Sequence, residues 1–254
     1  MYAEILIQEL WNYDIGWDEP IGKKCEEKWR RFYLELPQLS TFQIRRFVLC
    51  SSPSLIEIHG FSDASEKAYC AVIYVKSSSD QEVQVNILAA KTRVAPLKSQ
   101  SLPRLELCAA LLLSNLLQVV CTHIEIPFDH IYAWTDSRVP LSFINSEPRR
   151  WQPFVANRVA KIQDANPSVS WKFVAGAENP ADCGTGGKLP SEFLRSSLWL
   201  HGPQWLKQPI EIIEPKVVID SNVSETVLKE EKKGYNSCVS KFQEPELSTK
   251  YSSW

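Results

Sequence analysis

The chain has 254 residues and a formal net charge of −2, from 28 Lys and Arg residues against 30 Asp and Glu residues. This length holds one large domain with appendages, and the near-neutral balance excludes a protein that coats nucleic acid through its overall charge, so such a contact needs a local basic patch. The seven cysteines form no C-x-x-C pair and no secretory signal is visible, which indicates reduced thiols and an intracellular protein, cytoplasmic or nuclear.

Residues 1–50 are rich in tryptophan and favour helix. Trp11, Trp17 and Trp29 lie in this segment, and a GWDEP turn interrupts it. Its apolar surface is too small for an independent domain. We therefore expect it to be a segment attached to a larger domain.

Three strand-like runs follow, SLIEIHGF, AYCAVIYVK and VQVNILAAKTRV, separated by short polar turns, and they predict an antiparallel meander over 54–94. After Pro96 the period changes, and residues 103–124 predict a long helix that is apolar on nearly all sides. Its most apolar stretch is short for a bilayer and is broken by Ser114, Asn115 and Gln118. We expect a buried helix of a soluble protein without a membrane partner.

The second half alternates between strands and helices. Residues 130–137 predict a strand, 137–145 a short helix, 151–166 a helix with one apolar stripe, and 169–176 a further strand. Such an order predicts an α/β fold, with a mixed five-stranded sheet that starts as an antiparallel meander, continues with parallel strands and is flanked by helices. Beyond residue 207 the composition is polar and predicts a linker.

Four acids fall at the ends of these elements or in an apolar surrounding. Asp63 closes the first strand, Glu106 lies inside the apolar helix, Asp136 closes the fourth strand, and Asp182 follows the fifth. Converging carboxylates repel one another unless a cation balances them, and oxygen ligands favour Mg²⁺ or Mn²⁺. Two such ions about 4 Å apart activate a water and stabilise the leaving oxygen of a phosphodiester. The set predicts hydrolysis of nucleic acid.

Five motifs in this order, IHGFSDAS, LPRLELCAALL, WTDSRVPLSFI, WQPFVANRVAKI and ENPADCG, resemble the ribonuclease H region of the Pol polyprotein of BEL/Pao-type LTR retrotransposons. That region is also labelled a Pao-type peptidase. The resemblance spans about residues 54–190. Before it, AEILIQELWNYDIGWDEP resembles the connection that follows the reverse transcriptase thumb, and the final KYSSW resembles the start of the integrase side.

The resemblance implies a ribonuclease H-like fold and an activity. It makes Asp63, Glu106, Asp136 and Asp182 the catalytic, metal-binding set, with two Mg²⁺ ions as cofactors and an RNA/DNA hybrid as substrate. It also implies a connection-like segment over 1–50, a ribonuclease H-like domain over 51–206 and a linker over 207–254 toward a missing integrase region. The reverse transcriptase and integrase parts of the parent polyprotein are the implied partners.

Basic and aromatic residues suggest a surface for the hybrid. We assign nucleic-acid binding, through phosphate contacts and stacking, to six residues: Lys91, Arg93, Arg104, Arg149, Arg150 and Trp151. Arg104 is the strongest of these because it lies two residues before Glu106. The alternative for such a charge cluster is a solvated face. His59 shares a strand face with Asp63, and either approaches the site or packs in the core.

Two further functions stay open beside the metal-dependent endoribonuclease. Gly186 stands where the family has an arginine that faces phosphate, and this favours a catalytically silent or host-retained retrotransposon remnant that binds nucleic acid or a partner. An aspartic peptidase ranks last because it requires D-T-G or D-S-G, and the sequences around Asp136 and Asp182 supply neither.

Overall fold

The computed structural model describes residues 1–13, 15–16, 18–43, 46–208 and 221–232, with the backbone alone for residues 221–224. The strands are Leu55–Ala64 (β1), Ala68–Ser78 (β2), Val83–Val94 (β3), His130–Thr135 (β4) and Ser170–Phe173 (β5). The α-helices are Tyr2–Leu10 (α1), Lys23–Glu35 (α2), Leu102–His123 (α3), Arg138–Ile144 (α4), Pro153–Ala165 (α5), Asp182–Thr185 (α6), Pro190–Leu194 (α7), Ser197–His201 (α8) and Ser221–Lys229 (α9). Short 3-10 helices cover Leu36–Thr41, Pro148–Arg150, Gly176–Glu178 and Gln204–Lys207.

The strands form one sheet in the order β3-β2-β1-β4-β5. The β1–β2 and β2–β3 pairs are antiparallel, and the β1–β4 and β4–β5 pairs are parallel. The predicted mixed five-stranded sheet is therefore confirmed. Strand β1 ends later than the sequence predicts, because Asp63 and Ala64 continue the ladder opposite Cys70 and Tyr69.

The sheet buries both of its faces. On one face, Ile58 and Ile73 pack against Leu113 and Leu117 of α3. On the other face, Phe61, Tyr74 and Trp134 pack against Trp199 and Leu206 from the segment that follows β5. Because side chains alternate along a strand, the residues of β1 that share a face with Phe61 include Asp63.

Helix α3 is the central helix of the domain. It is long and apolar enough to cross a membrane by length and composition, and 50% of its most apolar window is buried inside the protein. It packs on β1, β2 and α5. This arrangement accounts for its nearly uniform apolar surface, as the sequence predicts for a covered helix.

The N-terminal segment packs on the sheet domain. Ile5 and Leu6 of α1 are buried, and the side chain of Gln8 donates a hydrogen bond of 2.6 Å to the carbonyl oxygen of Ala95. At the end of α2, Glu35 accepts a hydrogen bond of 2.7 Å from the hydroxyl of Ser191. Trp17, which the sequence places in the first turn, lies outside the described residues.

The region after residue 207 contains a helix that the sequence analysis does not predict. Helix α9 docks on α4, and Val227 contacts the cluster of buried residues between α3, α4 and α5. Residues 209–220 and 233–254 lie outside the described residues, and the linker expected there stays a prediction.

The close approach of β1 to α3 yields a prediction about stability. A Cβ atom added to Gly60 would lie 2.5 Å from Cδ1 of Leu113, in the buried core. We expect Gly60→Ala to lower the free energy of unfolding by about 1–3 kcal/mol through overpacking, measured by chemical denaturation. Gly22→Ala is the control, because no atom lies within 4 Å of the added Cβ there. An equal effect of the two substitutions would contradict this packing.

Candidate active site

The parallel pairing of β1 with β4 brings two of the four acids together. Ser62 and Thr135 form the last pair of the β1–β4 ladder, so the next residues of the two chains, Asp63 and Asp136, lie side by side at the same edge of the sheet. Their carboxyl groups lie within hydrogen-bonding reach of each other. Two carboxylates at this separation raise each other's pKa values unless a cation lies between them.

Asn179 attaches the segment of the third acid to this edge. Its side chain is fully buried, donates a hydrogen bond of 3.0 Å to the carbonyl oxygen of Ser62, and accepts one of 3.1 Å from the backbone N–H of Ala181. Asp182 follows as the first residue of α6, where the free N–H groups of a helix favour a carboxylate. Its side chain is exposed, and its charge acts on both Asp63 and Asp136.

The fourth acid comes from the beginning of α3. The Glu106 carboxylate accepts a hydrogen bond of 2.6 Å from the hydroxyl of Ser137, the residue that follows Asp136. The charge of Asp136 also acts on Glu106. The structure therefore groups all four predicted acids around Asp136, although they come from four separate elements.

The group carries uncompensated negative charge. Burial, followed by the charge of Asp136, raises the pKa of Asp63 to about 7; the hydrogen bond from Thr185 lowers it in part, and the charge of Asp182 raises it further. Burial also raises the pKa values of Glu106 and Asp136. None of the ion pairs among the described residues involves one of the four acids.

The donor chemistry of this group fits a hard divalent cation. All four acids offer carboxylate oxygens, which Mg²⁺ and Mn²⁺ prefer, and a cation would relieve the repulsion that raises the pKa of Asp63. Within the part of the chain that the structure describes, no three His, Cys, Asp or Glu side chains form a ready-made metal site. The fit therefore rests on charge and donor type.

Two hydroxyl groups at the site are absent from the sequence analysis. Ser137 orients Glu106, and Thr185 donates a hydrogen bond of 2.8 Å to the Asp63 carboxylate. Ser137 directly follows Asp136 in the sequence, and this adjacency was the one available signal. Thr185 lies 122 residues from Asp63 in the chain, so no local pattern relates them.

The predicted nucleic-acid-binding residues fall into two groups. Lys91 and Arg93 are exposed on β3, an edge strand of the sheet. Arg104 and Arg150 lie on the other side of α3, where both form ion pairs with residues that follow α9. The exposed Arg149 forms an ion pair with Glu147.

Trp151 and His59, two of the residues that the sequence suggested for the site or its surface, lie in the core instead. Trp151 is 1% exposed, packs edge-on against Phe143 and donates a hydrogen bond of 2.8 Å to the hydroxyl of Ser146. Its ring is therefore covered, and the predicted stacking on a base is incompatible with this position. His59 is fully buried as well and accepts a hydrogen bond from the indole N–H of Trp134 at 3.3 Å, so it packs in the core.

A comparison of the sequence with models of protein families shows which family the chain is related to. The model of the Pao retrotransposon-like RNaseH-like domain matches residues 1–137, more than half of the chain. The chain belongs to this Pao retrotransposon-like family. The match includes Asp63, Glu106 and Asp136 and ends before Asp182. It confirms the resemblance found in the sequence motifs.

Solved structures similar to this Pao-type domain include ribonucleases H. The N-terminal RNase H domain of Rv2228c from Mycobacterium tuberculosis, fused to maltose-binding protein, is 14% identical over 54% of this chain and 94% of that chain, with a TM-score of 0.37. RNase H1 from Halobacterium salinarum NRC-1 is 15% identical over 56% and 98%, with a TM-score of 0.33. LC11-RNase H1, isolated from compost and solved with an RNA/DNA hybrid, is 13% identical over 54% and 99%, with a TM-score of 0.37.

No match was found among curated protein sequences. At the TM-scores above, the fold assignment rests on the family match and on the strand order.

The repulsion within the acid group yields a prediction for the Pao-type domain without metal. The raised pKa of Asp63 means that the folded state holds a proton that the unfolded state releases, so stability falls as pH rises from about 4 to about 7. Asp63→Asn removes this penalty, and we expect the free energy of unfolding in EDTA to rise by about 1–2 kcal/mol at pH 8, with little change at pH 4.

Denaturant unfolding at the two pH values measures this difference. Asp164→Asn, an exposed position on α5, is the matched control and should change little at either pH. A loss of stability in Asp63→Asn at pH 8 would contradict the predicted repulsion.

Proposed function

We propose that this Pao-type domain is a metal-dependent endoribonuclease that hydrolyses the RNA strand of RNA/DNA hybrids. The observation that supports the proposal is the group of three carboxylates, Asp63, Glu106 and Asp182, around the carboxylate of Asp136, without an ion pair to any of the four among the described residues. The family supports the reaction class. The reverse transcriptase and integrase parts of a parent polyprotein are the proposed partners.

The four acids, Asp63, Glu106, Asp136 and Asp182, would together hold two Mg²⁺ ions. When bound, the ions supply positive charge to the attacking and leaving oxygens of the phosphodiester. The residues of the chain prepare this site. Thr185 and Ser137 fix the rotamers of Asp63 and Glu106 through their hydroxyl groups.

The basic residues would hold the backbone of the hybrid. Lys91 and Arg93 are exposed on β3, and Arg149 is exposed beside Glu147, so their charged groups are accessible to phosphates. Arg104 and Arg150 present guanidinium groups suited to bidentate contacts with phosphate. Association through these contacts would weaken steeply as the salt concentration rises.

A catalytically silent remnant is the second candidate function. Gly186 supports it, because the resemblance implies an arginine there that faces phosphate. A domain without turnover would still bind a hybrid through its basic residues. The two candidates differ in whether divalent metal binds and whether RNA is cut.

A cleavage assay tests the catalytic activity. It uses the purified full chain, a hybrid labelled on its RNA strand, and Mg²⁺. We expect metal-dependent cuts in the RNA strand, and a loss of rate of about 100-fold or more in Asp63→Asn, since removal of one electrostatic group from an active site has effects of this size. Asp164→Asn should cut as the wild type does. Equal cleavage by wild type and Asp63→Asn, or none by either, would overturn the endoribonuclease proposal.

The second prediction uses thermal unfolding. A cation that binds only the folded state should raise the melting temperature by about 5–10 °C at a concentration of 100 times its Kd. The gain should disappear in Asp63→Asn, although this variant is more stable than wild type in EDTA. If Mg²⁺ and Mn²⁺ leave the melting temperature of the wild type unchanged, the result supports the catalytically silent remnant.

The third prediction restores the missing arginine. Gly186 has φ −79° and ψ −8°, a conformation open to any residue, and the nearest atom to an added Cβ is 4.0 Å away. Gly186→Arg should therefore fold normally and lower the Kd for a hybrid about fivefold at low salt, the effect of one added phosphate contact. Anisotropy of a labelled hybrid measures the change, with Gly186→Gln as the uncharged control. The same Kd for both variants would show that position 186 does not face phosphate.

A further inference from the structure

The segment of residues 221–232, which we name the C-terminal strap, crosses the surface formed by α4 and the start of α5. The backbone N–H of Gln152 donates a hydrogen bond of 2.8 Å to the carbonyl oxygen of Glu230, and the N–H of Lys232 donates one of 3.1 Å to the carbonyl oxygen of Arg150. Glu231 forms an antiparallel bridge with Trp151. The strap is thus docked through backbone groups as well as side chains.

Two adjacent carboxylates of the strap pair with two of the arginines that we predict to bind phosphate. Glu230 accepts two hydrogen bonds from Arg104, of 2.6 Å from Nε and 3.0 Å from Nη2. Glu231 accepts one of 2.7 Å from Nε of Arg150. The fork-like pairing of Arg104 with Glu230 uses the donors that an arginine presents to a phosphate. The strap therefore satisfies this basic surface with acids of the same chain.

This basic surface borders the acid site. Arg104 lies two residues before Glu106 at the start of α3, and α4 begins directly after Asp136 and Ser137. The guanidinium of Arg104 also stacks on the ring of Phe154 of α5, with 4.8 Å between its central carbon and the ring centroid. A polyanion that reached the acid site along this side of α3 would encounter Glu230 and Glu231 first.

Docking of the strap depends strongly on charge. Val227 packs against the apolar cluster between α3, α4 and α5, whereas Leu228 is exposed. The Glu230 side chain is 13% exposed and that of Arg104 34%, so this pair is partly shielded from solvent. Among the contacts described for the strap, the ion pairs of Glu230 and Glu231 are the ones that salt weakens, and each such pair contributes little stability.

We propose that the C-terminal strap is an internal competitor for nucleic acid, which covers Arg104 and Arg150 with Glu230 and Glu231 until the phosphates of a hybrid displace it. The hybrid as the partner rests on the proposed function. Binding requires the undocked form, so the observed Kd equals the intrinsic Kd divided by the undocked fraction. Substitutions that undock the strap raise affinity without any new contact to the nucleic acid.

The test compares full-length wild type with Glu230→Gln/Glu231→Gln, by anisotropy of a labelled hybrid in EDTA, which stops cleavage. We expect the Kd at low salt to fall about tenfold, which corresponds to an undocked fraction of about one tenth in the wild type. In the double variant the two arginines neutralise phosphates and release counterions of the nucleic acid without first breaking ion pairs with the strap, so the slope of log Kd against log salt should steepen by up to about two. Glu225→Gln, which breaks the exposed pair with Lys229 on the same helix, is the matched control and should match wild type in both readouts.

Two further variants keep the test decisive. If the double variant melts below the assay temperature, Glu231→Gln alone carries the test, because it removes the more exposed pair, and we expect a gain of about threefold. Arg104→Glu/Glu230→Arg restores an ion pair with reversed charges and should show no gain in affinity, since the strap stays docked and a phosphate ligand is lost. A gain in that swapped variant would overturn the proposal.

The outcomes separate the strap from the catalytic proposal. Equal Kd and equal salt slopes for wild type and the double variant would show that the strap is only a structural element, even if Mg²⁺-dependent cleavage is found. A higher affinity in the double variant supports the strap even if no cleavage is found, in which case the endoribonuclease proposal alone fails.

Discussion

The arrangement of the whole domain depends on the parallel pairing of β1 with β4. Their register places Asp63 and Asp136 next to each other at one edge of the sheet, where burial raises both pKa values and the charge of Asp136 raises that of Asp63 further. Such a pair weakens the fold unless something offsets it. A fold that retains this repulsion, and surrounds it with hydrogen bonds that fix the carboxylates, has the features of a site prepared for a cation rather than for maximal stability.

The groups around the pair account for how distant parts of the chain reach it. Asn179 holds the end of β1 and the turn before α6 with one fully buried side chain, and Thr185 bonds to Asp63 from the end of that helix. Ser137 links Glu106 of α3 to the end of β4. These bonds join β1 to α6 and to the turn before it, and α3 to the turn after β4. Positioning of the acids is therefore a property of the tertiary structure, and the bonds from Thr185 and Ser137 restrict the carboxylates of Asp63 and Glu106 directly.

The sequence predicts three of the acids because each one interrupts or follows an apolar run, and Asp182 because it follows the fifth strand. Glu106 contradicts the nearly uniform apolar surface of α3, and Asp63 and Asp136 lie where the apolar runs of β1 and β4 stop. The same patterns predict the five strands and the long helices. Helices α7 and α8 have five residues each, too few to show a helical period, and no pattern in the sequence predicts them.

Contacts between residues that are far apart in the chain could not be predicted from the sequence. Arg104 and Glu230 are 126 residues apart, so no local pattern relates them. Trp151 fits two interpretations, a member of the apolar stripe of the helix predicted over 151–166 and a stacking residue, and only packing against Phe143 distinguishes them. Whether an arginine is solvated, paired or ready for phosphate depends in the same way on what the rest of the chain brings to it.

The acid site and the basic surface of Arg104 and Arg150 differ in whether their charges are already paired within the chain. We therefore expect them to respond differently to a ligand. At the edge of the sheet, like charges remain together, so binding of a cation relieves a repulsion that already exists and is favoured by the fold itself. On the far side of α3, Arg104 and Arg150 are already paired with Glu230 and Glu231, so a polyanion gains only the difference between its own contacts and those it displaces. A duplex can displace Glu230 and Glu231 because it offers many phosphates along one surface. A single phosphate or a short oligonucleotide gains little binding free energy over the two carboxylates. A strap of this kind would therefore select for length and charge density in the ligand, a form of specificity that requires no contact with a base.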